Sequence, residues 1–112
     1  MKLFDKLDRN IDYNNSYSIR RPIAILDGEF KLAEKNNDEQ YAREIIDTAK
    51  KIYDKLSETY RESEGYGETM SYMQKLWSRR LREFIGYLSK RIKDNFGTQN
   101  VPTIYTKQTI EL

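Results

Sequence analysis

The stretch ETMSYMQKLWSRRLREFIGYLSKRIKDNF, residues 68–96, decides the fold. Met70, Met73, Trp77, Leu81, Phe84, Leu88 and Ile92 recur at steps of three or four, which puts them on one side of a long helix. Lys75, Arg79, Arg82, Lys90 and Lys93 fall on the opposite side. One face calls for a core, the other for water or an anion. The remaining segments read as partners for the apolar stripe.

The clearest partner is residues 38–63. Tyr41, Ala42, Ile45, Ile46, Ala49, Ile52, Tyr53, Leu56 and Tyr60 form a broad apolar face. Asn37 reads as the N-cap, with Asp38 and Glu39 in the first turn and Gln40 at the capping-box position. Glu39–Arg43 and Asp47–Lys51 are favourable pairs four apart on the outer side. Ala42, Ile46 and Ala49 resemble the small–large–small spacing in the second helix of tetratricopeptide repeats. Phe30 stands where that motif needs a small residue in its first helix, and the chain has no repeat, so the resemblance implies nothing further. The link Ser63-Glu64-Gly65-Tyr66-Gly67 is short, so the two long helices are antiparallel neighbours.

Residues 19–36 admit two readings. Ile19, Ile23, Leu26, Phe30 and Ala33 fit a helical face, with Pro22 tolerated in the first turn. The same residues fit a hairpin over 23–32, because Asp27-Gly28 is a strong two-residue turn signal. The helix is preferred, since Leu32-Ala33-Glu34-Lys35 favours helix and leads into another one. In that case Ile25 and Leu32 point away from the core and leave an apolar patch beside Gly28, suited to a partner.

Both ends read as arms. Residues 1–18 are polar and turn-rich around Asp12-Tyr13-Asn14-Asn15-Ser16, apart from one short helical turn at Leu3, Phe4 and Leu7. Gly97 and Pro102 stop the last helix. Residues 98–112 carry Val101, Ile104, Tyr105, Ile110 and Leu112 among polar neighbours, too apolar for a solvating tail. A lone strand is not stable in water, so this tail calls for a partner surface. The expected fold is an all-α three-helix bundle over residues 19–97, built on a long antiparallel helical hairpin, with extended arms at 1–18 and 98–112. The alternative is α+β, with the 23–32 hairpin and a C-terminal strand.

Composition limits the chemistry. The 112 residues hold no cysteine and no histidine. A thiolate nucleophile, a disulfide and the commonest general base and metal ligand are therefore missing together. Asp5, Asp8 and Asp12 have ligand-like spacing, but no glycine or terminal glutamate completes a calcium loop. Gly65-Tyr66-Gly67 lacks the lysine of a phosphate loop. No catalytic residue, metal site or cofactor is expected. No apolar run approaches the roughly 18 residues of a membrane span, and the first residues have no apolar signal core. An intracellular or virion product is expected.

Net charge is +2, unevenly placed: residues 68–96 hold seven basic and three acidic side chains. Lys75, Arg79, Arg82, Lys90 and Lys93, flanked by Arg80 and Arg91, extend about 27 Å at the helical rise, enough to follow several phosphates. Glu83 and Asp94 lie nearby, as on an ordinary solvated face. Trp77 sits on the apolar side, a core position rather than a stacking platform. The leading expectation is a non-enzymatic assembly or adaptor subunit, a homo-oligomer or part of a larger assembly. Its contacts would be Ile25, Leu32, Val101, Ile104, Tyr105, Ile110 and Leu112. Small helical adaptors of virus and phage particles supply a fold-level analogy. The second expectation is a nucleic-acid-binding accessory protein using the basic face.

Overall fold

The computed structural model describes the backbone of residues 2–65 and 72–96, and the side chains of residues 2–60 and 72–96. Within them the chain folds as α1 (Leu3–Asp8), a 3-10 turn (Ser16–Ile19) running straight into α2 (Arg20–Lys35), α3 (Glu39–Gly65) and α4 (Tyr72–Asn95). No strand occurs among the described residues. The architecture is the expected all-α bundle, with four packed helices among the described residues rather than three.

Residues 23–32 are helical, and the hairpin alternative falls. Asp27-Gly28 lies in mid-helix, where Asp27 pairs with Lys31 one turn on at 3.1 Å. The helix wins because it carries Leu26, Phe30 and Ala33 together into the core, each at most 1% exposed. Pro22 occupies the first turn, where a missing N–H costs little.

Between α2 and α3 the chain turns within three residues. Asn37 adopts φ 53°, a left-handed conformation that asparagine tolerates. Its N–H reaches the Glu34 carbonyl and the Asp38 N–H reaches that of Ala33, closing α2 as a Schellman motif. Asp38 then caps α3, its side chain accepting from the Tyr41 N–H at 3.1 Å. The expected N-cap was Asn37. The structure uses Asp38, because Asn37 is taken by the left-handed position that ends α2.

α3 is the hub. Its Ala42, Ile45, Ala49, Ile52 and Leu56 are fully buried, and the alanines let neighbouring helices approach closely. Arg43, Ile46 and Lys50 face Ser89 and Ile92, so α4 runs antiparallel to α3. Tyr41 donates to Glu29 at 2.6 Å, so α2 is antiparallel to α3 as well. Consequently α2 and α4 run in the same sense. Glu39–Arg43 forms as expected at 2.7 Å. Asp47 and Lys51 form no ion pair, and the Lys51 ammonium lies 5.6 Å from the centre of the Phe4 ring.

The N-terminal segment is not an extended arm. Leu7 and Ile11 are buried in the core and Leu3, Phe4 and Tyr13 pack against it. Lys55 of α3 holds the segment down. Its ammonium meets Asp8 at 2.8 Å and lies 4.9 Å from the centre of the Tyr13 ring, while Tyr13 donates to the same carboxylate oxygen at 2.6 Å. Ser18 closes the following loop, donating to the Asp12 carbonyl and accepting from its N–H. The contacts of Lys55 are long-range, so six helical residues that are marginal alone become stable against α3.

α4 presents the expected core face from Trp77 onward: Trp77, Leu81, Leu88 and Ile92 are buried. Phe84 is partly buried against the core, and Met73, at the N-terminal end of the stripe, is 42% exposed. Met70, the glycine link beyond Gly65, and the tail from Gly97 lie outside the described residues.

Candidate functional site

The basic side of α4 is where the periodicity places it. Lys75, Arg79, Arg82, Lys90 and Lys93 are all exposed. Among the described residues none of the five makes an ion pair or side-chain hydrogen bond. A Cβ at Gly86, within the row, would meet nothing inside 4 Å, so the helix is smooth there. Glu83 and Asp94 are exposed beside the row.

The two flanking arginines do different things. Arg91 turns toward α2, where its Nε donates to Glu34 at 3.0 Å and a terminal nitrogen donates to the other carboxylate oxygen. Its guanidinium also touches the Tyr87 hydroxyl and lies over the Phe30 ring. Arg91 is thus a clasp between α2 and α4, and is withdrawn from the stripe. Arg80 lies over the Trp77 ring at 5.0 Å.

Trp77 is 7% exposed, apart from the main apolar cluster, with its ring edge-on to Tyr17 at 6.0 Å between centroids. The Arg20 guanidinium lies 4.8 Å from the Tyr17 ring centre. Arg20, Tyr17, Trp77 and Arg80 therefore form one continuous cation–aromatic stack between the 3-10 turn and α4. Among the described residues the Trp77 Nε1, Tyr60 Oη and Ser78 Oγ atoms are buried with no hydrogen-bond partner. Burial pushes the Tyr60 hydroxyl above its ordinary pKa, against the opposing influence of the Ser16 and Ser78 hydroxyls.

The outer side of α2 carries the apolar patch. Ile25 is 37% and Leu32 47% exposed. Gly28 lies between them, and a Cβ there would again meet nothing within 4 Å. At the N-terminal end this side opens into a groove of about 540 Å³ between α1 and α2. Leu7 and Pro22 form its buried floor, while Tyr17, Arg20, Arg21 and Ile25 stand at its exposed margin. Among the described residues no carboxylate lines it.

Two further polar contacts shape the charge pattern. Hydrogen bonds from Lys55 and then Tyr13 hold the Asp8 carboxyl below the usual carboxylate range. Burial, then the bond to Glu29, pushes the Tyr41 hydroxyl up to about 12. Both groups are therefore locked into structural pairs and have no proton to exchange near neutral pH. Among the described residues no three acidic side chains gather as a metal site would require, and no helix is long and apolar enough to cross a membrane.

Of the residues singled out in the sequence, the structure unites Ile25 and Leu32 on one face and the five cations on another. Val101, Ile104, Tyr105, Ile110 and Leu112 lie outside the described residues. The sequence reading missed the groove residues Tyr17, Arg20, Arg21 and Pro22. Their signal is Arg20-Arg21 one turn before Ile25, which becomes a site only when α1 folds beside it. No protein-family model, no curated protein and no solved structure matches this chain.

Proposed function

We propose that this chain is a non-enzymatic assembly or adaptor subunit that works by protein–protein contact. The observation that carries the reading is the outward face of α2, where Ile25 and Leu32 stand exposed on either side of an open Gly28. A helix face with two apolar anchors two turns apart and a smooth centre suits another helix. The lack of cysteine and histidine supports the non-enzymatic part. A connector role in a virus or phage particle extends the reading by fold-level analogy.

Sedimentation tests it. Self-association that disappears in Ile25→Asp with Leu32→Asp, while the melt is unchanged, supports an assembly subunit. A chain that stays monomeric supports the adaptor form if it takes up a helical partner through the same residues. A chain that neither self-associates nor takes up a helical partner through these residues contradicts the reading.

A second reading, a nucleic-acid-binding accessory role, is favoured by one observation: the five exposed cations of α4 have no ion-pair partner among the described residues. Its test is the salt dependence of binding to a random duplex, since release of counterions gives a steep slope.

A further inference from the structure

The groove between α1 and α2 has a floor of one character and a margin of another. Leu7 and Pro22 beneath it are apolar and buried, and Ile25 continues that character outward. Above them stand Arg20 and Arg21, exposed, with no carboxylate in the lining among the described residues. The first turn of α2 contains no acid at all, although carboxylates are what the positive end of a helix favours. Arg20 is also held in place. Its guanidinium stacks on Tyr17, whose ring is braced edge-on by Trp77. A cation fixed in this way loses little freedom on meeting an anion.

We propose that this groove, with the α2 face that continues from it, receives an acidic amphipathic helix of a different protein. The incoming apolar side chains rest on Ile25 and Leu32, and the incoming carboxylates meet Arg20 and Arg21. The proposal rests on the protein-contact reading above and narrows it to one partner chemistry. Its geometry is that of a helix in a groove. From Arg21 to Leu32 the face runs about 17 Å at the helical rise, or three turns, and its anchors sit at the spacing an amphipathic helix presents.

The alternatives fit less well. Among the described residues a second copy offers no complementary surface: apart from Tyr17, Ile25 and Leu32, the large exposed apolar side chains are Tyr72, Met73 and Tyr87, all on the cation-bearing α4. Antiparallel pairing of α2 with its own copy would bring Arg21 toward Lys35, like charge to like charge. A nucleic acid would set its phosphates over an apolar floor, whereas the row of evenly placed cations is on α4.

The test is fluorescence anisotropy with the full chain and two labelled peptides. Both are helix-favouring, with leucines at i, i+3 and i+7; one has glutamates in its first turn, the other lysines. The acidic peptide should bind saturably, and the lysine peptide about tenfold more weakly or worse. Arg20→Glu with Arg21→Glu should weaken the acidic peptide about tenfold and strengthen the lysine peptide, a reversal that an unfolded variant would not give. Ile25→Asp with Leu32→Asp should weaken both. Equal binding of the two peptides, or binding of the acidic one that ignores both double variants, overturns the proposal. So does a random DNA duplex whose binding depends on Arg20 and Arg21 where the acidic peptide does not bind. If the chain self-associates through Ile25 and Leu32 yet ignores the acidic peptide, the protein-contact reading survives and the acidic helix does not. If it does neither, both fail.

Discussion

Glu34 and Arg91, 57 residues apart, tie the C-terminal halves of α2 and α4 together. Replacing Glu34 by glutamine keeps the side-chain volume and one acceptor oxygen but removes the charge. The cost can be bracketed. An exposed ion pair contributes about 0.2–1 kcal/mol, whereas breaking a fully buried one costs about 3–5 kcal/mol. Here the Glu34 side chain is 14% and the Arg91 side chain 26% exposed, and the pair is bidentate. Two charge-assisted bonds in a place that water reaches poorly put Glu34→Gln between the limits, at about 2 kcal/mol. For a domain of this size that is a fall in Tm of roughly 8 °C. Urea denaturation of the wild type, Glu34→Gln, Arg91→Met and the double variant would isolate the pairwise energy. A coupling near 1.5 kcal/mol, little changed by salt, is expected. A coupling below about 0.5 kcal/mol that vanishes in high salt would refute the reasoning, because the pair would then behave as a screened surface contact.

Trp77→Ala should cost about 3 kcal/mol in guanidinium unfolding and release Tyr17; a midpoint that hardly moves would mean the ring is dispensable to packing. Gly86→Ala should raise stability by about 0.5–1 kcal/mol, since nothing stands where the methyl group would go; a lower melting temperature would contradict the open helix face. Reversing Arg79, Arg82 and Lys90 to glutamate should leave circular dichroism and the melt unchanged, because all three face solvent. If the wild type shows no affinity for duplex DNA even at low salt, the nucleic-acid reading ends there. Stability should also track two titrations. The folded pKa of Asp8 lies below its unfolded value, so its contribution is present above about pH 4 and is lost as pH falls through the folded pKa. That of Tyr41 is raised to about 12, so its contribution is present below about pH 10 and is lost as pH rises from there. Melting temperatures of Asp8→Asn and Tyr41→Phe across the pH range should lose the acid and alkaline dependence respectively.

What could be read from the sequence follows the range of the interactions. α3 and α4 were legible because their apolar residues repeat over many turns, and the five cations of α4 follow from the same period. α2 was legible in part: Asp27-Gly28 is a turn signal in isolation, and only burial of Leu26 and Phe30 against α3 decides for the helix. The short helical turn at Leu3, Phe4 and Leu7 was legible and forms as α1, but its docking was missed, because that rests on Lys55, 47 residues away from Asp8, and no local pattern reports it. Asn37 and Asp38 are both good caps by residue type. Which one serves α3 depends on which takes the left-handed position that ends α2. The patch at Ile25 and Leu32 was visible once α2 was taken as helical. The groove beside it was not, since it is made by α1 and α2 together. Arg91 shows the converse: it reads as part of the basic side, and Glu34 draws it away.

The central claim is that the α2 face, rather than the cation row of α4, is where this protein meets a partner. Amide-shift mapping by nuclear magnetic resonance during titration with the acidic amphipathic peptide tests it most directly. Shifts gathered at the outward positions of α2 from Arg20 to Leu32 and at Leu7 and Asn10 across the groove are expected, with Lys75, Arg79, Arg82, Lys90 and Lys93 undisturbed. Shifts confined to the α4 cations, or a spectrum unchanged at saturating peptide, would contradict it.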